Sequence, residues 1–178
     1  MNSERDRLVA ALRAKGIHFL AKGDEPVGES VALSPSALIA GLVSDPDPRL
    51  HLALTALFLL HPDWSAFVPS VAATLDGSAI IELQARYMAA VYLQRFWRTR
   101  LEFSLGKHPL LPDLYSRALG LPPADERYGK TGLIELAEWH ARRSSFPFNR
   151  LASYHKAADL LFGQWQAEAR QNEFATAS

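Results

Sequence analysis

Arg150 and His155 are the pair of residues in this chain best suited to a reaction. An imidazole can take a proton from a ribose 2′-hydroxyl, and a guanidinium can stabilise the charge that then develops on the phosphate. Four residues separate them, in Arg150-Leu151-Ala152-Ser153-Tyr154-His155, within a stretch that reads as a C-terminal helix. A second candidate group is Arg95, Trp97, Arg98, Lys107 and His108, inside a basic and aromatic run from Arg86 to Arg117. Positive charge interleaved with rings suits an acidic partner or an RNA strand. The plain alternative puts the rings in the core and the arginines on a solvated face. The six histidines, at 18, 51, 61, 108, 140 and 155, show no metal-ligand spacing, and no serine sits in a nucleophile elbow. No metal and no cofactor is expected.

The Arg150–His155 spacing resembles the metal-independent ribonuclease motif of HEPN-domain proteins, with Leu151 where that family carries a polar residue. The resemblance implies RNA cleavage with His155 as general base and Arg150 as charge stabiliser, in an open cleft across a dimer. Gly129-Lys130-Thr131 has the ending of a phosphate-binding loop, but Ala124 occupies the place of the leading glycine and no strand precedes it. Pro62-Asp63 with Glu82-Leu83-Gln84 is similar to a nuclease signature that needs strands, and these residues lie in helical text.

The element that must position these groups is the stretch Ile80–Leu105, read as one long helix. From Ile80 to Leu93 it is apolar nearly all round, with Glu82, Gln84 and Arg86 left to face water. Such a helix has to be enclosed by others. Its second half is two-sided. Gln94, Arg95, Arg98, Thr99 and Glu102 form a polar side, and Leu93, Phe96, Trp97, Leu101 and Phe103 an apolar one. Glu82 with Arg86, and Arg98 with Glu102, have the spacing of exposed ion pairs.

Around this post the chain carries clear start and stop signals. Ser3 with Asp6 caps a first helix that Gly16 ends. Ile17-His18-Phe19-Leu20 and Ser30-Val31-Ala32-Leu33 read as short extended segments around the turn Lys22-Gly23-Asp24-Glu25-Pro26, a fair place for a binding loop. Ser34-Pro35 and Asp47-Pro48 start two more helices. Asp63 to Leu75 reads as a helix kinked or split at Pro69, and Asp113 to Leu119 as a short one. Asp125-Glu126 opens a segment that should break at Gly129 and Gly132. Leu133 to Arg143 follows, with Leu133, Leu136, Ala137 and His140 or Trp139 inward. Phe146-Pro147-Phe148 is an apolar connector. Asn149 caps the last helix, whose stripe is Leu151, Tyr154, Ala158, Leu161, Phe162 and Trp165, and the tail after about residue 170 should fray.

The segment Leu38-Ile39-Ala40-Gly41-Leu42-Val43-Ser44-Asp45-Pro46-Asp47-Pro48-Arg49-Leu50 resembles a HEAT-type helical repeat, with His51 where the repeat usually carries arginine. The resemblance covers about one repeat, residues 38–60. It implies antiparallel helix pairs in the N-terminal half and tilts the role towards an interaction scaffold. A solenoid would need several such repeats.

Composition bounds the rest. The 178 residues fit one domain, and 48% hydrophobic residues suffice for a core. Formal net charge is zero, without the footprint of a non-specific nucleic-acid binder. Cysteine is absent, which excludes disulfides and thiolate chemistry. The N-terminus mixes charge signs and lacks signal-peptide character, and the most apolar window, Leu50 to Leu60, is too short to span a bilayer.

The expectation is therefore an all-α, compact multi-helix bundle of about six or seven helices, a single domain over residues 1–178, packed around the helix 80–105. Its expected role is a non-catalytic protein-interaction or accessory module in the cytoplasm. The expected partner is another protein, with a homodimer allowed, nucleic acid disfavoured and no membrane. The alternative is the HEPN-like ribonuclease. A third reading, a binder of a small apolar ligand, requires a cavity beside Tyr87, Tyr92 and Trp97.

Overall fold

A computed structural model describes residues 3–20, 32–144 and 149–177, and among these it contains nine α-helices and no strand. Helix α1 (Glu4–Ala14) starts at Ser3, whose hydroxyl accepts from the Asp6 amide while the Asp6 carboxylate accepts from the Ser3 amide. Helices α2 (Pro35–Ser44) and α3 (Pro48–Leu60) start at Ser34 and Asp47, each with a side-chain cap and proline in the first turn. The segment expected as a helix from Asp63 to Leu75, kinked or split at Pro69, is split: a tight 3-10 turn, Pro62–Phe67, precedes the short α4 (Val68–Ala72), which has Pro69 in its first turn. Proline lacks an amide and cannot continue an α-helical ladder, so the chain tightens after Pro62.

The central post is α5 (Gly77–Phe96). Every residue from Ala85 to Gln94 is buried. Its neighbours are α2, α3, α8, α9 and the turn at 126–129. The expected single helix to Leu105 is interrupted at Trp97 (φ −103°, ψ 20°), and α6 (Arg98–Leu105) follows as a separate element. The bonds from the Trp97 amide to the Leu93 carbonyl and from the Leu101 amide to the Trp97 carbonyl persist across the break. Helical phase is thus roughly kept while the ladder is interrupted.

The chain returns through a proline-rich link to the short α7 (Ser116–Leu119), which Gly120 ends in a left-handed conformation. It then makes a turn at Glu126–Gly129, α8 (Lys130–Arg142) and the long α9 (Arg150–Thr176), capped by Asn149. Gly132 does not break α8, contrary to the expectation from its low helix propensity. It lies against the Tyr92 ring, and a Cβ there would come within 2.1 Å of Tyr92 Cε1. Gly129 serves the same approach, since a Cβ on it would sit 2.3 Å from the Tyr92 carbonyl oxygen. Helix α9 remains helical to Thr176, with every residue from 169 to 177 exposed.

Among residues 17–20, Phe19 and Leu20 form a turn, and Ile17 and His18 pair in no strand. The expected turn at Lys22–Pro26, the first half of Ser30–Leu33 and the connector Phe146-Pro147-Phe148 lie outside the described residues. No single helix among the described residues is long and apolar enough to cross a membrane.

Candidate functional site

Two places concentrate functional groups: a polar cluster inside the bundle, and the ridge that α6 makes on its surface.

The cluster is built on Glu82, which was expected to face water and does not. Its side chain is largely buried, and Arg86, one turn on, is 1% exposed. Glu82 Oε2 accepts from Arg86 Nε at 3.2 Å, and Glu82 Oε1 lies 2.7 Å from His140 Nε2. His51 Nδ1 is 3.5 Å from Oε2, and Arg150 Nη1 is 3.8 Å from Oε1. Four helices, α3, α5, α8 and α9, therefore converge on one carboxylate. Burial pushes the Glu82 pKa up, but the His140 hydrogen bond and the Arg86 charge outweigh it and hold the carboxyl at about 2. Burial also lowers both histidines, against the opposing pull of Glu82.

The proton positions follow from this. An ionised Glu82 only accepts, so His140 Nε2 carries the hydrogen. The neutral ring then accepts at Nδ1 from the Tyr154 hydroxyl, 2.7 Å away. Arg86 completes its shell on Ser153 Oγ at 3.1 Å and lies over the Tyr154 ring. The groups are satisfied mainly by one another. His140 is 0% exposed, and the side chains of Glu82 and His51 are only slightly exposed. Among the described residues no group of three or more His, Asp or Glu is arranged to hold a metal ion.

The structure gives Arg150 and His155 different surroundings. Arg150 is buried, bonded to Ser144 Oγ and turned to Glu82. His155 is half-buried, edge-on to Phe96 at 5.4 Å between ring centroids. Five residues along an α-helix place side chains roughly 140° apart, which matches these separate contacts. Beside Tyr92 and Tyr87 the interior is filled. Gly132 abuts the Tyr92 ring, Phe58 and Tyr115 pack edge-on against Tyr87, and the two hydroxyls donate to the Pro122 and Pro112 carbonyls.

The five candidate binding residues divide. Arg95 is spent on the fold: its guanidinium donates to the carbonyls of Leu111 at 2.8 Å and Val91 at 3.2 Å, and meets Asp125 at 3.2 Å. Gln94 does similar work, donating to the Pro109 carbonyl and accepting from the Leu111 amide. Together they fasten the proline-rich link to α5. Trp97 packs against Phe96 and Phe162, with Arg100 lying over Phe162 at 3.9 Å. Its indole N–H is buried without a hydrogen-bond partner among the described residues.

Arg98 and His108 share a surface hollow with Leu59, Leu101, Leu105 and Leu110. Arg98 is paired with Glu102 at 3.1 Å, the exposed pair expected from the spacing. The hollow has room for about one water molecule, far too little for a small-molecule ligand. Lys107 is exposed beside it.

The residue missed at this ridge is Phe103. Assigned to the apolar side of the helix, it is instead 91% exposed. The signal was present: Leu101 and Leu105, four apart, point inward, and Phe103 lies about 200° round the helix from Leu101. Phe96, two turns earlier, is also exposed, as is Leu110 on the link.

Comparisons with family models, with curated proteins and with solved structures find no match.

Proposed function

We propose that this chain is a non-catalytic protein-interaction or accessory module, and that it meets its partner at the α6 ridge. The observation that carries the reading is Phe103, a large apolar ring presented almost wholly to solvent on a helix of eight residues. Exposed single apolar residues are common. Here Phe96, two turns before it, is exposed as well, and a small leucine-lined hollow lies on the other side of α6. Aromatic and arginine side chains in such settings supply most of the energy of protein interfaces. The polar groups able to do chemistry, by contrast, are enclosed around Glu82 and engaged with one another. The α2–α3 pair, which resembles a HEAT-type unit, fits as supporting scaffold for such a module.

The test is capture from the source cells on the immobilised chain, with RNA retained in one arm and digested in the other. A partner retained after digestion and lost with Phe103→Asp is the expected result. Capture that disappears with the RNA, or that Phe103→Asp leaves unchanged, overturns the reading.

A further inference from the structure

We infer that α6 is a strap: it lifts from the bundle and reseats as one unit, between anchors at Gln94 and Leu111, while the other helices stay packed. The inference concerns how this segment moves, and it stands independently of which partner the chain meets.

The anchors are fixed points, and they are bound to each other. Gln94 and Leu111 are both buried. The Leu111 amide donates to Gln94 Oε1 at 2.6 Å, and Gln94 Nε2 donates to the Pro109 carbonyl at 2.9 Å. The Arg95 guanidinium holds the Leu111 carbonyl at 2.8 Å. The chain that leaves α5 at Gln94 thus comes straight back to it, and what lies between can move without pulling on either end. Both ends of α6 are built to turn. At Trp97 (φ −103°, ψ 20°) the α-helical ladder is interrupted. Gly106 (φ 76°, ψ −170°) ends α6 in a conformation open essentially to glycine alone.

The seat between these joints is shallow. Leu101 is the one buried residue of α6, and Leu105 is half-buried. Arg98 and Glu102 bond to each other, and Arg100 adds its stacking on Phe162 of α9. Leu101 and Leu105 share with Leu59 and Leu110 a hollow that has room for about one water molecule, so the packing beneath the strap is not close. At the first joint the Trp97 indole N–H is buried without an acceptor among the described residues. Lifting lets water reach it, which offsets part of the cost of opening. A short helix with one buried side chain and a largely exposed ladder opens at a free energy well below that of global unfolding, whereas a wholly enclosed post such as α5 opens only with the whole fold. Phe103 rides on the outer side of the strap, so its place on the surface depends on the strap being seated.

Native-state hydrogen exchange on the full chain tests it, read by NMR. The hydrogen-bonded amides from Leu101 to Gly106 should share one protection factor, about a hundredfold or more below that of residues 89–93 in α5. Urea below the unfolding transition should speed exchange in α6 with a much shallower slope than in α5, because lifting the strap exposes little surface. Two variants separate the strap from the fold. Gly132→Ala crowds Tyr92 and should lower the protection of residues 89–93 by about tenfold while leaving that of α6 unchanged, since seated and lifted forms are destabilised alike. Gly106→Ala adds a Cβ that meets nothing within 4 Å, so it strains only the backbone of the seated form and should speed exchange in α6 by about tenfold. If Gly132→Ala does not fold, the urea slopes decide the same question.

Protection in α6 equal to that in α5, or falling with it in Gly132→Ala, would show that the segment opens only with the whole fold and would overturn the inference. So would protection that fades steadily towards Gly106, which is fraying of one end, or exchange in α6 that Gly106→Ala leaves unchanged. The measurement needs no partner. Its failure leaves the interaction reading standing, and loss of that reading leaves the strap.

Discussion

Glu82 Oε1 and His140 Nε2 meet at 2.7 Å across 58 residues of sequence, and this contact joins α5 to α8 at the centre of the bundle. A carboxylate in such a place costs desolvation, which is recovered only because cations and hydrogen-bond donors surround it. The cluster is consequently vulnerable to losing one member. Glu82→Ala leaves Arg86 buried without its carboxylate and should cost about 3–5 kcal/mol. Urea unfolding measures it, and a loss below about 1 kcal/mol would show that the cluster contributes little to holding the helices together.

The same cluster gives stability a pH dependence of definite sign. His51 and His140 have folded-state pKa values below the ordinary 6.5, chiefly through burial. His51 faces Glu82, Arg86 and the Asp45 carbonyl, and His140 faces Glu82, Arg86, Arg150 and Tyr154. As the pH falls through 6.5 the unfolded chain binds protons before the folded one, so stability declines from there towards the folded-state values. Glu82 adds a loss of the same sign between its ordinary 4.5 and about 2. Urea midpoints at pH 7.5, 6 and 5 should fall in that order. His140→Gln should make the decline between pH 7 and 5 shallower.

Two glycines on helices should answer alanine oppositely. At Gly132 the new Cβ would fall 2.1 Å from a ring held by burial and by the Tyr92 hydroxyl's bond to the Pro122 carbonyl. Overpacking of this kind costs about 1–3 kcal/mol, more than the roughly 1 kcal/mol that helix propensity returns. At Gly163 a Cβ meets nothing within 4 Å, so Gly163→Ala should stabilise by about 0.5–1 kcal/mol. Thermal midpoints of the two variants should move apart.

The turn before α8 stores strain. Arg127 (φ 46°) and Tyr128 (φ 55°) are both left-handed, ahead of Gly129 (φ 80°). An L side chain in that region costs roughly 1–2 kcal/mol. Tyr128 is 80% exposed, so little packing is lost with its ring. Tyr128→Gly should therefore raise stability by up to about 1 kcal/mol, the relief of strain exceeding the glycine entropy cost. A thermal midpoint that falls would contradict this.

If the chain is an interaction module, His155→Ala should leave both its fold and its behaviour towards RNA unchanged. Incubating the purified chain and this variant with a 2′-hydroxyl-bearing oligomer checks it. Cleavage by the parent that is lost in the variant would restore the ribonuclease reading.

Much of the architecture was legible because it is written locally. Ser3, Ser34, Asp47 and Asn149 all cap the helices they were expected to cap, since a cap is a matter of three or four neighbouring residues. The enclosure of the central helix was legible too, because its apolar residues leave no wide polar face. The polar cluster was not. A glutamate followed four residues later by arginine reads as a surface pair, and only the arrival of His140 and Tyr154 from distant helices makes it a core feature. Gly132 misled for the same reason: propensity speaks of the helix alone, whereas the residue answers to a tyrosine on another element. At α6, the apolar side was drawn too wide, and the inward pair Leu101 and Leu105 would have set it correctly.

The break at Trp97 has one more consequence. Its indole nitrogen is shut away from water with no acceptor among the described residues, and an unmet donor of this kind costs about 1–3 kcal/mol. A phenylalanine there would keep an aromatic ring beside Phe162 while removing the unmet donor. Phenylalanine at this place would therefore set two opposed effects against each other, the relief of an unmet donor and the loss of the indole volume packed against Phe96, Phe162 and Arg100.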